Sequence, residues 1–593
     1  MLSRCVSPGR PRRLVVGAAV ASLAVGAVAA GEAPPAAPPG GAAPFELATG
    51  TGLEFVYDNG RAGRFHLPEI SCGGVALFDF DGDGVLDVYL PQGGPLEPPP
   101  PGELVPTDRL YRGELTVDGS GRRLRYVDVT EEAGLAGTGT GYGCGVAAGD
   151  FDGDGHVDLY VANLGANRLL RNRGDGTFED VTARAGVDDP RWSASAVFLD
   201  ADGDGHLDLF VANYVDFSTE SAKACRTASG APDYCNPASY AGVPNRLLLN
   251  RGDGTFVEDP GAEEVHRLRS RSLGVVAADF DGDGAPEIYV ANDGEANQLW
   301  DRGPDGRWRD RALMAGAAVN ARGQSEASMG IAVADDDGDG DFDLFVTHLT
   351  GETNTLYRND GGGGFVDATA ASGLGLPSVA DTGWGVAWLD VDHDDRLDLV
   401  VVNGAVRTLG ALAAAGDPFP FHQPDRLFRQ RPDGPPGRYE LVEDPGPALT
   451  VSRVSRGLAA GDLDNDGDLD LVIVDQGAPV RVLLNRGADG RHWLGLRLLD
   501  GAGRDALGAR VDLLREGAAP LVRGVQASAG FASASDPRVL FPLAAAGSAS
   551  VRVTWPSGLV ELWPDLPAGA YTTLTEGSTL EPARPAPEAR VRP

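Results

Sequence analysis

The sequence predicts an all-β chain: a seven-bladed β-propeller followed by a small β-sandwich. Three observations carry this reading. A nine-residue acidic motif, Asp-x-Asp-x-Asp-x-x-x-Asp/Glu, occurs seven times in 593 residues. Each copy runs into a segment where apolar and polar residues alternate, the period of a half-buried strand. The 83 glycines and 42 prolines supply turns at a density that favours many short strands over long helices.

The first element is a targeting segment. Arg4, Arg10, Arg12 and Arg13 precede an apolar run from Leu14 to Ala30 that ends in Ala27-Val28-Ala29, a small-x-small cleavage pattern. Residues 1–30 therefore read as a secretory signal peptide, with an uncleaved anchor as the alternative. Arg12-Arg13 also permits twin-arginine export. Residues 31–44 are a Pro/Ala-rich linker. No later stretch is apolar enough to span a bilayer, so the expected location is periplasmic, extracellular or cell-surface. Export makes disulfides plausible. Cys225 and Cys235 bracket a short loop, and Cys72 and Cys144 occupy near-equivalent places in consecutive repeats, so these are the expected pairs.

Residues 45–488 hold the repeats. The motifs start at Asp79, Asp150, Asp200, Asp279, Asp335, Asp390 and Asp462. A small-residue strand such as GVAAGDF (145–151) enters each acidic loop, and an alternating strand such as VDLYVAN leaves it. NRLLRN or NRLLLN follows with an N-R-G-D-G-T-F turn, and an aromatic-Asp-Thr segment such as FEDVT (178–182) stands upstream of the next motif. Four strands per unit and seven units fit a radial array with protected edges. The strand that begins at Phe45 is free to complete the last blade. Arg173-Gly174-Asp175 and Arg251-Gly252-Asp253 lie in the repeated turn, where Gly and Asp serve hairpin geometry.

The acidic loops have the donor pattern of a hard divalent cation, which takes six to eight oxygens. Positions 1, 3, 5 and 9 supply carboxylates, position 7 a main-chain carbonyl, and glycine at position 6 a sharp turn. The ligands are Asp79, Asp81, Asp83 and Asp87; Asp150, Asp152, Asp154 and Asp158; Asp200, Asp202, Asp204 and Asp208. The later loops supply Asp279, Asp281, Asp283 and Glu287; Asp335, Asp337, Asp339 and Asp343; Asp390, Asp392, Asp394 and Asp398; Asp462, Asp464, Asp466 and Asp470. Leu90, Val161 and Val211 stand where an EF-hand has its last glutamate, so the sites are strand–loop–strand. Calcium is the expected ion, several per chain and up to seven. The sixth loop, with Asp395 at position 6, and the fourth, with Pro286 before Glu287, are expected to bind more weakly.

These units resemble the FG-GAP/VCBS repeats of integrin α-subunit propellers. HWLGLRL (492–498), RDALGARV (504–511), GFASASDPR (530–538) and WPSG (555–558) resemble an ASPIC/UnbV domain, which places residues 489–580 in a β domain of the kind found in the cartilage acidic protein family. Phe541-Pro542-Leu543-Ala544 departs from that family's F-G-L-G. The resemblance implies a secreted calcium-binding propeller with adhesive or interaction roles and no catalytic site. Within the domain, Arg504, Asp505, Arg510, Ser535, Asp536 and Arg538 are a polar group that anchors loops or forms a ligand surface. Residues 581–593, rich in Pro and Arg, read as a disordered tail.

Composition narrows the function. The formal charge is −36 and Lys223 is the single lysine, which argues against nucleic-acid partners, P-loops and Schiff-base chemistry. No H-E-x-x-H, G-x-S-x-G or Cys-x-x-Cys occurs. His66, His348, His422 and His492 would matter only if the fold gathered them. The expectation is a monomeric, non-enzymatic binding, adhesion or scaffold protein with a protein or glycan partner. Its expected surface is the inserted loops 216–244 and 405–424, whose aromatics Tyr234, Tyr240, Phe419 and Phe421 favour recognition, with packing over the blade edges as the alternative. The alternative is a secreted carbohydrate-active enzyme, lyase-like, that uses the propeller channel.

Overall fold

Each repeat folds into one four-stranded antiparallel sheet, because its apolar residues fall at every second position and its turns are glycine-rich. The computed structural model describes residues 43–97, 105–119, 121–137, 141–227, 229–488, 490–543 and 547–579. The signal peptide, most of the linker and the tail expected at 581–593 lie outside the described residues.

The second repeat shows the plan. Tyr142–Gly149 pairs with Asp158–Leu164, that strand with Arg168–Asn172, and that one with Phe178–Asp180. Six further units repeat it, with first strands at Ala76–Phe78, Ser193–Leu199, Ser272–Ala278, Ile331–Ala334, Gly383–Leu389 and Ser455–Gly461. These first strands touch their neighbours in sequence order, and Ser455–Gly461 touches Ala76–Phe78, so the seven close a circuit. In the last sheet the outer strand is Phe45–Leu47, which pairs with Arg481–Asn485. The aromatic-Asp-Thr segments are therefore outer strands of the preceding sheet. Phe178 shows why: its ring packs on Phe80 in the neighbouring acidic loop, 6.1 Å between centroids.

The insertions cluster at the strand ends opposite the acidic loops. They do not present their aromatics to solvent, so of the two expectations for these rings it is packing that the structure shows. Tyr234, Tyr240, Phe419 and Phe421 are all buried. Tyr234 meets Phe421 at 5.6 Å, and Tyr240 meets Phe217 at the same distance. Burial of so much aromatic area holds the insertions down. Cys72–Cys144 joins the first two units and Cys225–Cys235 closes the insertion, as the spacing predicts.

The C-terminal sandwich stacks two sheets. One contains Arg510–Leu514, Leu521–Gly524, Ser548–Thr554 and Val560–Pro567; the other His492–Leu499, Val539–Leu543 and Tyr571–Thr575. Leu494, Leu496, Val511, Phe541, Val551 and Trp555 form its core. Between the sheets a short hairpin, Ser528–Ala529 and Ser533–Ala534, leaves the sandwich and enters the ring. Ala534 pairs with Ala76, Gly530 bridges to Ile331, and the Ala532 carbonyl accepts from the N–H of Val146 at 3.1 Å. Three first strands from separate units thus grip one hairpin, and Phe531 is completely buried there.

Candidate metal centres

The acidic loops form at one end of the ring, between first and second strands. In the second loop, Asp150 Oδ1 accepts from the N–H groups of Gly153 at 2.8 Å and Asp154 at 3.1 Å, and Oδ2 from Gly155 at 2.8 Å. This wraps the backbone around the first carboxylate. Asp154 accepts from the N–H of His156 at 3.1 Å. Asp158, at position 9, accepts from the N–H of Phe151 at 3.0 Å and of Asn172 at 2.7 Å, which fastens the loop to the third strand.

The wrapping needs two left-handed residues. Gly153 has φ +72° and Gly155 φ +87°. The sequence reading assigned this requirement to position 6 alone; position 4 carries it too. The signal was present, since glycine fills position 4 in five loops and His393 or Asn465 in the others. In the sixth loop both positions are strained, His393 at φ +52° and Asp395 at φ +73°.

Carboxylate oxygens converge as the motif predicts. Asp79, Asp81 and Asp87 each place one oxygen within 4.8 Å of the others, as do Asp150, Asp152 and Asp158, and Asp200, Asp202 and Asp208. Asp279, Asp281 and Glu287 form a fourth group, and Asp335, Asp337 and Asp339 a fifth. Among these five groups, position 5 enters only in the fifth. Asp83, Asp154, Asp204 and Asp283 point an oxygen at the N–H of position 7.

The donor set fits a hard cation, and orphaned atoms support the fit. Asp152 Oδ1, Asp337 Oδ1, Asp464 Oδ1 and Asp398 Oδ2 are buried without a hydrogen-bond partner among the described residues. A buried oxygen without a donor is costly, and a cation satisfies it. Burial pushes the position-9 carboxyls of Asp87, Asp208 and Asp398 up to about 8, and that of Asp343 to about 9, with neighbouring loop carboxylates adding to the effect. Arginines partly balance the charge: Arg171 contacts Asp152 and lies 2.7 Å from Asp154, Arg358 lies 3.1 Å from Asp337, and Arg486 lies 3.4 Å from Asp464.

A second set of residues was missed in the sequence. In five units the side-chain amide that ends the third strand crosses to the loop of the preceding unit. Asn172 Nδ2 donates to Phe80 O at 2.8 Å, Asn250 to Phe151 O at 2.7 Å and Asn359 to Phe280 O at 2.7 Å. Gln430 and Asn485 do the same to Asp336 O and Val391 O. The repeated N-R-L-L-x-N was read only as a strand and turn; its terminal amide is a stitch between units.

The sandwich sits on this same loop face. Arg510 Nη1 donates to Gly340 O at 2.6 Å, Arg504 to Gly205 O, and Arg538 Nη2 to Asp462 O at 3.1 Å. Arg497 pairs with Asp505 at 2.8 Å and Arg538 with Asp536 at 2.9 Å. This polar group thus anchors loops. The four histidines stay apart. His66 packs on Phe217, His348 bonds Ser328 and the Thr353 carbonyl, His422 pairs with Asp417, and His492 is exposed on a sandwich strand.

The fold and the loops together define an acidic-loop repeat protein that carries a β-sandwich after its repeats. Its repeats are FG-GAP-like repeats, matched at residues 119–211, 230–290, 279–346 and 335–401, and the sandwich is an ASPIC and UnbV domain, matched at 500–581. The chain is homologous to cartilage acidic protein 1, with 25% identity to the Homo sapiens protein over 507 residues, 82% of this chain and 60% of that one. The Mus musculus protein is also 25% identical, over 70% of each chain. The chain thus spans less than two thirds of the human relative's length. Among solved structures, an Agrocybe aegerita lectin described as recognising non-reducing terminal N-acetylglucosamine aligns over 71% of this chain and 92% of its own, at 16% identity and a TM-score of 0.34.

Proposed function

We propose that the chain is an exported, calcium-binding, non-enzymatic binding or scaffold protein. The observation that carries this is the set of converging loop carboxylates with orphaned buried oxygens at Asp152, Asp337, Asp398 and Asp464. The loop residues named above would hold the ions through positions 1, 3, 5 and 9, with the position-7 carbonyl to complete the set. Calcium supplies charge neutralisation and rigidity there; it performs no chemistry on a substrate. Homology to cartilage acidic protein 1 and two disulfides favour the exterior of the cell. Among the described residues no helix is long and apolar enough to cross a membrane.

The channel enzyme is the second reading, favoured by one feature. A 260 Å³ cavity opens at the mouth opposite the acidic loops, lined by Tyr214, Arg271, Asp293, Glu352 and Arg407 among others. Its polar groups are largely tied to each other and to backbone, with Tyr214 donating to Asp293 at 2.6 Å and Glu352 accepting from the N–H of Ala327 at 2.9 Å. The other mouth is filled by Phe531 and its hairpin. Binding is therefore the better reading.

The test is a melt with and without chelator. A ligand that binds only the folded state stabilises it by RT ln(1 + [L]/Kd), about 1 kcal/mol or more per site at millimolar calcium. EDTA should lower Tm, and calcium should restore it better than magnesium. An unchanged Tm refutes the reading. A pull-down of proteins and glycans in calcium against chelator then identifies the partner class.

A further inference from the structure

The seventh loop differs from the other six in composition, burial and cover. Its position 7 is Asp468, where the others carry Val85, His156, His206, Ala285, Asp341 and Arg396. Asp462 and Asp470 are 0% exposed, Asp464 1% and Asp468 3%. In the first loop, by contrast, Asp81 and Asp83 are exposed. Asp464 Oδ1 and Asp468 Oδ1 are both buried without a hydrogen-bond partner among the described residues. Two orphaned carboxylate oxygens in one nine-residue loop fit a cation as their partner, since a buried charge is costly unless it is paired. The fifth loop also has an acid at position 7, but Asp341 stays half-exposed and is not orphaned.

The cover comes from outside the repeat. Trp493, on the first sandwich strand, lies so close over Gly467 that a Cβ there would meet the indole at 2.1 Å. Tyr571, on the last sandwich strand, donates its hydroxyl to Asp462 Oδ2 at 2.9 Å. Arg538 Nη2 donates to Asp462 O at 3.1 Å, and Arg122, from the first sheet, to Asp464 O at 2.8 Å. Arg486 lies 3.4 Å from Asp464 and 3.3 Å from Asp466.

We propose that the seventh loop is a closed, five-carboxylate cation site in which Asp468 ligates through its side chain, where the other loops offer a main-chain carbonyl. This rests on the reading of the loops as cation sites and goes beyond it in assigning one loop a separate behaviour. Affinity of oxygen sites for hard cations rises with carboxylate number. Enclosure strengthens each charge interaction and removes the water that would carry the ion out. Exit requires Trp493 to leave Gly467 and the sandwich to lift from the loop. The ion is therefore retained where the open loops exchange theirs, and it locks the sandwich to the ring. A trivalent lanthanide, with its higher charge, suits the same five carboxylates.

The test uses the full chain, dialysed exhaustively against EGTA, with bound calcium counted by mass spectrometry. The parent should keep about one calcium per chain, and Asp468→Asn none, while both refill their other loops when calcium returns. Terbium exchanged into the parent under mild denaturant should emit on tryptophan excitation. Trp493→Phe should bind the same terbium and lose at least five-fold in that sensitised emission; this variant keeps the assignment testable if Asp468→Asn does not fold. Equal retention in parent and Asp468→Asn overturns the inference, as does a parent that binds calcium yet keeps none. Unchanged emission from Trp493→Phe overturns the placement of the retained ion. A parent that binds no calcium in any loop overturns the cation reading itself, and this inference with it.

Discussion

The ring of Phe531 meets the indole of Trp384 nearly edge-on, with centroids 4.7 Å apart, although one belongs to the C-terminal sandwich and the other to the sixth sheet. The guanidinium of Arg456 also lies over that indole, 4.2 Å from the ring centroid and completely buried. Burial lowers that guanidinium to about 9. The contact explains how two domains share one cooperative core. Phe531→Ala removes a fully buried ring and should cost about 3–5 kcal/mol. The check is chemical denaturation of the full chain, in which the sandwich and the repeats should also cease to unfold in a single transition.

The stitch between units gives a second expectation. Asn250 donates to Phe151 O at 2.7 Å and to Leu207 O at 3.0 Å, both inside the structure. Asn250→Ala leaves two buried carbonyls without these donors and should cost about 1–3 kcal/mol. Asn250→Gln should recover part of this, because Gln430 makes the equivalent bond to Asp336 O at 2.8 Å with the longer side chain. Urea midpoints of the three proteins decide the matter.

The sixth loop should respond to relief of strain. Asp395 sits at φ +73°, where glycine is at home. Asp395→Gly should tighten calcium binding at this loop by on the order of 1 kcal/mol, the strain released. It also removes an ion pair with Arg515 at 2.9 Å, but both groups are substantially exposed and such pairs contribute little. Calorimetric titration against the parent reads the difference. Affinity that is unchanged or weaker would show that the turn does not limit this site.

Without calcium, stability should fall as pH rises. The carboxyls of Asp87, Asp208, Asp343 and Asp398 are raised by burial from the usual Asp value of 3.8 to about 8 or 9. The folded state then binds more protons than the unfolded one between pH 4 and 8, so this contribution is fully present below about 4 and lost through about 8. Melts in EDTA should show a lower Tm at pH 8 than at pH 5. Saturating calcium should flatten or reverse the slope, since the cation takes the place of the protons.

The repeated sheets were legible because the acidic motif fixes the loop, and period-2 alternation fixes the strands on either side. The loop carboxylates followed from the same nine residues. Three features were not legible, each because it joins segments far apart in the chain. Asn172 looks like any strand-end amide until Phe80 O is seen beside it. Tyr234 and Phe421 look like loop aromatics until two insertions, nearly two hundred positions apart, fold onto each other. Phe531 sits in an Ala/Ser-rich stretch with no strand pattern, and its hairpin pairs with Ala76 and Ile331 of the ring.

Phe45 faces Asn485 across the last ladder, so the earliest strand of the ring finds its partner only in the latest repeat. Chains are synthesised at about 5–20 residues per second, which separates those two strands by on the order of tens of seconds. Throughout that interval the nascent protein carries complete central sheets and an unmated first strand, and contacts of such long range are slow to form. A product that stops anywhere before the seventh repeat has no partner for Phe45–Leu47, and one that stops before residue 526 has nothing to fill its axis. Only copies that reach the seventh repeat can shut, which makes closure of the circle a quality check built into the order of the strands.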